Sequence, residues 1–217
     1  MDARRLTQAG ELQPVRVAIL DSGINPTHSH LSPAHSLEFG RGFVDGDESQ
    51  LDTNGHGTAV AAAILDLCPN VHLISVKIFD EDLSCSADRL VEALEYALTL
   101  SPRVDFVNLS LGSPRLEAAE SFRQVLAKCA PTKIVAPATL GGVPSYPGAL
   151  DGAIAVVDDL SRDRAQPQRK EWQGRTFWYA SPYPRSLPGL SRARNLSGIS
   201  FATANITGYL ANSQSQT

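Results

Sequence analysis

Apolar positions fall into two kinds of run along the chain. Short, β-branched stretches bounded by turn residues occur at 15–20, 72–78, 104–109, 133–136 and 153–157. They are apolar on both parities, the pattern of strands buried on both faces of a sheet. Longer stretches between them have helical spacing, at 57–67, 87–100, 116–128 and 201–210. In the second, Leu90, Val91, Leu94, Ala97 and Leu98 share one face. Its start, Ser84-Cys85-Ser86-Ala87-Asp88, offers hydroxyl caps and an early acid for the helix dipole.

Strand–helix–strand alternation at these lengths predicts an α/β fold of three layers, a mostly parallel central sheet flanked by helices. One domain is expected over 1–217, with polar tails at 1–13 and 212–217. In such folds ligands gather at the carboxyl ends of strands, so chemistry is to be sought just after each strand. The stretch 161–196 is the least regular and is read as long active-site loops. Its aromatics, Trp172, Phe177, Trp178 and Tyr179, either wall a cleft or pack in the core.

Composition narrows the function classes. At 217 residues, with 42% hydrophobic and 19% charged positions, the chain can bury one sizeable core. A net charge of -4 and the lack of a Lys/Arg run argue against nucleic acid. Arg162, Arg164, Arg169 and Lys170 are diluted by Asp158, Asp159, Asp163 and Glu171 and read as a solvated loop. The N-terminus has arginines but no apolar stretch behind them, so no secretory signal is expected. No run approaches the ~18 apolar residues of a membrane span. Cys68, Cys85 and Cys129 are odd in number and widely spaced, which predicts free thiols rather than disulfides or a zinc site. A cytoplasmic location follows.

Three turns carry candidate chemistry. Ile19-Leu20-Asp21-Ser22-Gly23 sets a carboxylate at a strand end, fit for a phospho-acceptor, a metal ligand or a histidine's orienter. Asn54-Gly55-His56-Gly57-Thr58 leaves an uncrowded imidazole at the start of an alanine-rich helix, either a cap or a base. Gly198-Ile199-Ser200-Phe201-Ala202-Thr203-Ala204 puts a hydroxyl in a helix's first turn, a cap or a nucleophile whose N–H faces a developing oxyanion. Singly, each has an ordinary structural explanation.

Together, Asp then His then Ser, each in a Gly-bearing turn, form one of the known triad orders. The motifs resemble the D-[ST]-G, H-G-T and G-T-S-x-A-x-P of the subtilisin-like serine peptidases. Gly23-Ile24-Asn25 with His28 and Leu31, Ser75-Val76-Lys77-Ile78, Asn108-Leu109-Ser110-Leu111-Gly112 and Tyr146-Pro147-Gly148 match as well, so the resemblance spans about 15–210. It implies a serine endopeptidase acting on peptides or proteins; the residues themselves call for no cofactor and no metal site. Ser200 would be the nucleophile, His56 the base and Asp21 its orienter. Ser110, Leu111 and Gly112 would be an edge that pairs with extended substrate.

Departures from the family are expected to matter. Thr139, in Ala136-Pro137-Ala138-Thr139-Leu140-Gly141, stands where an oxyanion-hole Asn is usual; with the Ser200 N–H it would form that hole. Loss of one such donor costs on the order of 3 kcal/mol, or roughly 100- to 1,000-fold in rate, a magnitude borrowed from the relative subtilisin. Ile199 replaces Thr, and Ala204 replaces Pro. The short stretch before Asp21 and the early end after the Ser200 helix suggest no propeptide and a fold truncated at its C-terminus. A partner or a second copy would then cover exposed surface. An intracellular protease without a propeptide is expected to be a restricted processing or maturation enzyme. Three rivals remain: a peptide-binding pseudoprotease, favoured by Thr139; a transpeptidase or macrocyclase using the same acyl-enzyme; and a phospho-acceptor at Asp21, which leaves the other motifs unexplained. His28, His30 and His35 are read as structural rather than metal-binding. Asp45-Gly46-Asp47-Glu48 and Asp80-Glu81-Asp82 are read as acidic turns rather than calcium loops.

Overall fold

The computed structural model describes residues 13–31, 36–46, 49–79 and 81–216. His35, Asp47, Glu48 and Asp80, weighed above as ligands, lie outside the described residues, as do 1–12 and 217 of the expected tails.

Inside an eight-stranded sheet, third from one edge, is β1 (Arg16–Asp21). On one side come β3 (His72–Lys77) and then β2 (Ser36–Phe39). On the other come β4 (Phe106–Leu109), β5 (Lys133–Pro137), β8 (Ile154–Asp158), β10 (Arg175–Ala180) and β9 (Gln168–Trp172). Every pairing is parallel except β9 with β10. Asp21 lies level with Lys77, and Leu20 with Leu109, so the carboxyl ends of the central strands share one rim.

Both faces are apolar, as the two-parity runs predict. Val17 and Ile19 of β1 pack with Leu73, Phe106 and Val135 against α1 (His56–Leu67) and α4 (Ile199–Ser215). Ala18 and Leu20 face the opposite layer, α2 (Ala87–Thr99) and α3 (Ala119–Lys128). Each fully buried branched side chain contributes about 1.5–3 kcal/mol, which holds the three layers together. The predicted cap of α2 is Ser86, whose hydroxyl accepts the Arg89 N–H at 3.1 Å.

Four features differ from the sequence reading. The α4 helix runs to Ser215 rather than 210: Gln214 bonds to Asp105 at 2.8 Å and accepts from Lys133 at 3.0 Å, so polar contacts extend it where apolar spacing ends. The stretch 116–128 begins with a 3-10 turn, Leu116–Ala118, before α3 proper. The edge strand β2 is largely exposed and so shows no apolar run. Most important, 161–196 is not all loop. The β9–β10 hairpin turns at Gln173 and Gly174, with φ of 49° and 77°, the left-handed pair of a type I′ turn.

That hairpin reassigns the aromatics and the basic residues. Trp178 packs on Tyr209 of α4, ring centroids 5.8 Å apart, a core contact. Lys170 stacks over Tyr179, and Trp172 meets Phe177. Arg164 is not solvated: it bonds to Asp66 at 2.6 Å, Asn205 at 3.0 Å and the Ala63 carbonyl at 3.0 Å, tying the 161–166 turn to α1 and α4. Arg175 donates to the carbonyls of Ala149, Leu150 and Gly148 at 2.7, 2.9 and 3.3 Å. Among the described residues no helix is long and apolar enough to cross a membrane, and no His/Cys/Asp/Glu group could hold a metal ion. The three cysteines are free thiols, Cys68 and Cys129 buried.

Candidate active site

The chain reversal after β1 leaves Asp21 1% exposed, with Oδ1 accepting the Ser22 N–H at 2.9 Å. The same oxygen accepts the His56 Nδ1–H at 2.7 Å. That contact requires Gly57 behind it: a Cβ there would stand 2.1 Å from the Gly23 carbonyl oxygen and 3.2 Å from Asp21 Oδ1. No larger residue lets α1 start so close to the end of β1.

Asp52, not singled out from the sequence, organises the approach to His56. Its Oδ1 accepts from Ser22 Oγ at 2.8 Å, Gly55 N at 2.8 Å and Asn54 N at 3.0 Å. Its Oδ2 accepts the N–H of Thr58, at 2.9 Å, and that residue's hydroxyl. Ser22 Oγ in turn accepts from Gly57 N at 2.9 Å. The fully buried Lys77 donates to the Leu51 carbonyl at 3.1 Å, bracing the same loop. The available signal was Asp52-Thr53-Asn54-Gly55, an acid ahead of turn residues, which favours an Asx-type turn.

The imidazole is mostly buried, and its electrostatics pull in opposite directions. Burial pushes its pKa down; the hydrogen bond to Asp21, the charge of Asp21 and the charge of Asp52 together outweigh it. His56 therefore titrates above its ordinary 6.5. With Nδ1–H given to Asp21, the neutral ring keeps its lone pair on Nε2.

Ser200 stands in the first turn of α4, where backbone N–H groups lack helical partners. Its hydroxyl donates to the Ser110 carbonyl at 3.1 Å. Among the described residues it makes no hydrogen bond to His56, although the His56 ring lies beside the next residue, Phe201, with centroids 5.6 Å apart. Thus all three predicted residues reach one rim, with Asp21 and His56 joined and Ser200 turned to β4. Three further side chains, Thr207, Asn108 and Asn205, fix α4, and none was assigned a role from the sequence. Thr207 donates to the buried Asn108 at 2.9 Å, and Asn108 donates to Ser110 Oγ at 3.1 Å. Asn205 donates to the carbonyls of Ser181 and Tyr183, each at 2.9 Å, anchoring the segment that leads to Ser200. For Asn205 the cue was an amide within an otherwise apolar run; Asn108 lay in the 108–112 segment that resembles the family, without a role assigned to it.

The proposed edge continues from β4. Among the described residues the backbone groups of Leu111 and Gly112 make no hydrogen bond, while Ser113 exchanges two with Tyr146 at 2.9 and 2.8 Å. A cavity of about 540 Å³ opens between this edge and the start of α2, lined by Leu90, Val91, Leu111, Asp88 and Arg115. Thr139 opens the small hairpin of β6 (Thr139–Leu140) and β7 (Val143–Pro144), just beyond β5 on the same rim. It is half-buried.

A sequence model of the subtilase family matches residues 13–217. The chain belongs to the subtilase family. Among the relatives of this subtilase is an alkaline protease of Alkalihalobacillus alcalophilus, 32% identical over 96% of the chain and 55% of that protein. Subtilisin Savinase of Lederbergia lenta is also 32% identical, over 96% of the chain and 77% of that protein. An intracellular serine protease of Paenibacillus polymyxa is 26% identical over 91% of the chain and 65% of that protein. The chain thus spans about half the length of the first of these. A cold-adapted subtilisin-like serine proteinase of known structure shares the fold, with a TM-score of 0.71 at 20% identity, over 99% of this subtilase and 82% of the other chain.

Proposed function

We propose that this subtilase is a serine endopeptidase acting through Asp21, His56 and Ser200. The observation that carries the reading is the 2.7 Å bond from His56 Nδ1 to the buried Asp21, which leaves the Nε2 lone pair of a neutral imidazole available at the rim that Ser200 shares. For reaction, the Ser200 hydroxyl leaves the Ser110 carbonyl by rotation about its Cα–Cβ bond, giving up a hydrogen bond of about 0.5–1.5 kcal/mol. Ser200 Oγ then attacks the peptide carbonyl carbon as Nε2 takes its proton. The tetrahedral oxyanion faces the Ser200 N–H and Thr139. Collapse breaks the C–N bond, and His56 returns the proton to the leaving amine. Water, deprotonated by His56, hydrolyses the acyl-Ser200 and regenerates the hydroxyl.

The open backbone groups of Leu111 and Gly112 support their pairing with an extended substrate, and the neighbouring cavity supports selection of one substrate side chain. That selectivity favours a restricted processing role over general digestion. Three free thiols support a reducing, cytoplasmic compartment, testable by cell fractionation. A fluorophosphonate probe should label the wild type and not Ser200→Ala, and a peptide library should be cut at few sites while casein persists. No labelling of a folded wild type would defeat the enzymatic reading. It would favour a peptide-binding protein, the reading to which the Ser200–Ser110 bond lends weight.

A further inference from the structure

A second cavity, of about 350 Å³, opens on the α1/α4 side of the sheet, across it from the Leu111–Gly112 edge. That is within the roughly 300–1,000 Å³ of small-molecule sites. Ala59 and Ala62 of α1, with Pro184, Leu187 and Leu196, give it apolar walls. Leu196 is 56% exposed, an apolar surface that an occupant would cover.

The polar lining sets one guanidinium, Arg185, and two imidazoles, His28 and His30, around the opening. Arg185 is about two-thirds buried, with 35% side-chain exposure, yet among the described residues its guanidinium donates no hydrogen bond. Its ion-pair partner, Asp66 Oδ1, stands 3.9 Å away, at the limit of pairing, while Asp66 Oδ2 is held by Arg164 at 2.6 Å. His28 Nδ1 accepts the His30 N–H at 3.3 Å, which leaves Nε2–H as a donor in the neutral ring. Burial first, then the charge of Arg185 nearby, holds the His30 pKa below its ordinary value against the pull of Asp66. The acid on the wall, Asp52, has both oxygens hydrogen-bonded within the His56 loop and, among the described residues, forms no ion pair with Arg185.

One permanent cation, imidazole N–H donors and aliphatic walls suit a single negative charge on an apolar body; a dianionic phosphate would demand more compensation than they supply. We propose that this cavity binds a carboxylate borne on a branched aliphatic chain, the carboxylate paired with Arg185 and the chain packed on Ala59, Ala62, Leu187 and Leu196. A free aliphatic acid and the C-terminal residue of a peptide share this chemistry. The site stands independently of whether Ser200 is catalytic.

The test is titration of the full chain with N-acetyl-leucine, N-acetyl-leucinamide and 4-methylpentanoate, following the His28 and His30 ring signals by NMR. N-acetyl-leucine should shift both saturably and the amide should not. Binding of 4-methylpentanoate as well assigns free acids; binding of N-acetyl-leucine alone assigns a peptide terminus. Arg185→Gln should weaken binding roughly 10- to 100-fold, the loss of a charge-assisted pair, and Arg185→Lys by less. Ala59→Leu, which narrows the cavity without touching the cation, gives a second variant and should weaken binding as well. The proposal is overturned if no carboxylate saturates, if the amide binds equally, or if folded Arg185→Gln or Ala59→Leu binds like the wild type.

Discussion

Replacing Asp52 with asparagine keeps the side chain's shape and exchanges one carboxylate oxygen for an amide nitrogen. At Oδ1 that nitrogen would face the N–H groups of Asn54 and Gly55; at Oδ2 it would face only the Thr58 N–H, because the Thr58 hydroxyl can turn to accept. The second placement costs less, and it still leaves one partly buried N–H without its acceptor. Such a loss is about 1–3 kcal/mol. For a domain of this size each kcal/mol lowers Tm by about 2–4 °C, so Asp52→Asn should melt roughly 2–12 °C below the wild type. The electrostatic effect is separate. Asp52's charge is among the influences that hold the His56 pKa above 6.5, and removing it lowers that pKa while the Asp21 bond remains. His56 accepts a proton only when neutral, so wild-type activity should fall as pH drops through the raised pKa. In the variant that acid limb should move to lower pH. Fluorophosphonate labelling rates across pH read the limb, and thermal melting reads the loop. A limb that stays in place while Tm falls would refute the charge argument, and an unchanged Tm would refute the role of Asp52 as the loop's anchor.

Gly57→Ala places a methyl 2.1 Å from the Gly23 carbonyl, and α1 must retreat from Asp21; we expect at least a tenfold loss in labelling rate, with the His56 acid limb moved down as the Asp21 bond lengthens. An alanine variant with wild-type labelling would show that the approach is slack. Thr139→Asn should raise kcat about 10-fold or more at unchanged KM in a peptide assay, since the longer amide reaches further than a threonine hydroxyl; an unchanged kcat would remove Thr139 from the oxyanion site. Arg175→Met strips the donors from three carbonyls at Gly148, Ala149 and Leu150 and should lower stability by about 1–3 kcal/mol in urea titration, whereas an unchanged midpoint would make the contact incidental.

The sheet centre was legible because β1, β3, β4, β5 and β8 are buried on both faces, and continuous apolar runs admit few other structures. The β9–β10 hairpin was not. Its outer strand, Gln168–Trp172, is wholly exposed and charged, as suits an edge that must not pair further, and Gln173-Gly174 is a weaker turn signal than Asn-Gly. The same division runs through the candidate site. Asp21, His56 and Ser200 announce themselves because each sits at an element boundary beside glycine, where a local rule is broken. Asp52, Asn108 and Asn205 break no such rule. Their meaning lies in partners 30, 99 and 24 residues distant, Ser22, Thr207 and Ser181, which only the folded chain brings near. Positioning residues of this kind are invisible to spacing arguments because their information is carried by non-local pairs. It follows that the orientation of Ser200, toward Ser110, depends on contacts the motifs do not reveal, even where, as at Asn108, they contain the residue. Substitutions at Asn108 should therefore alter the serine's reactivity while leaving the Asp21–His56 bond intact.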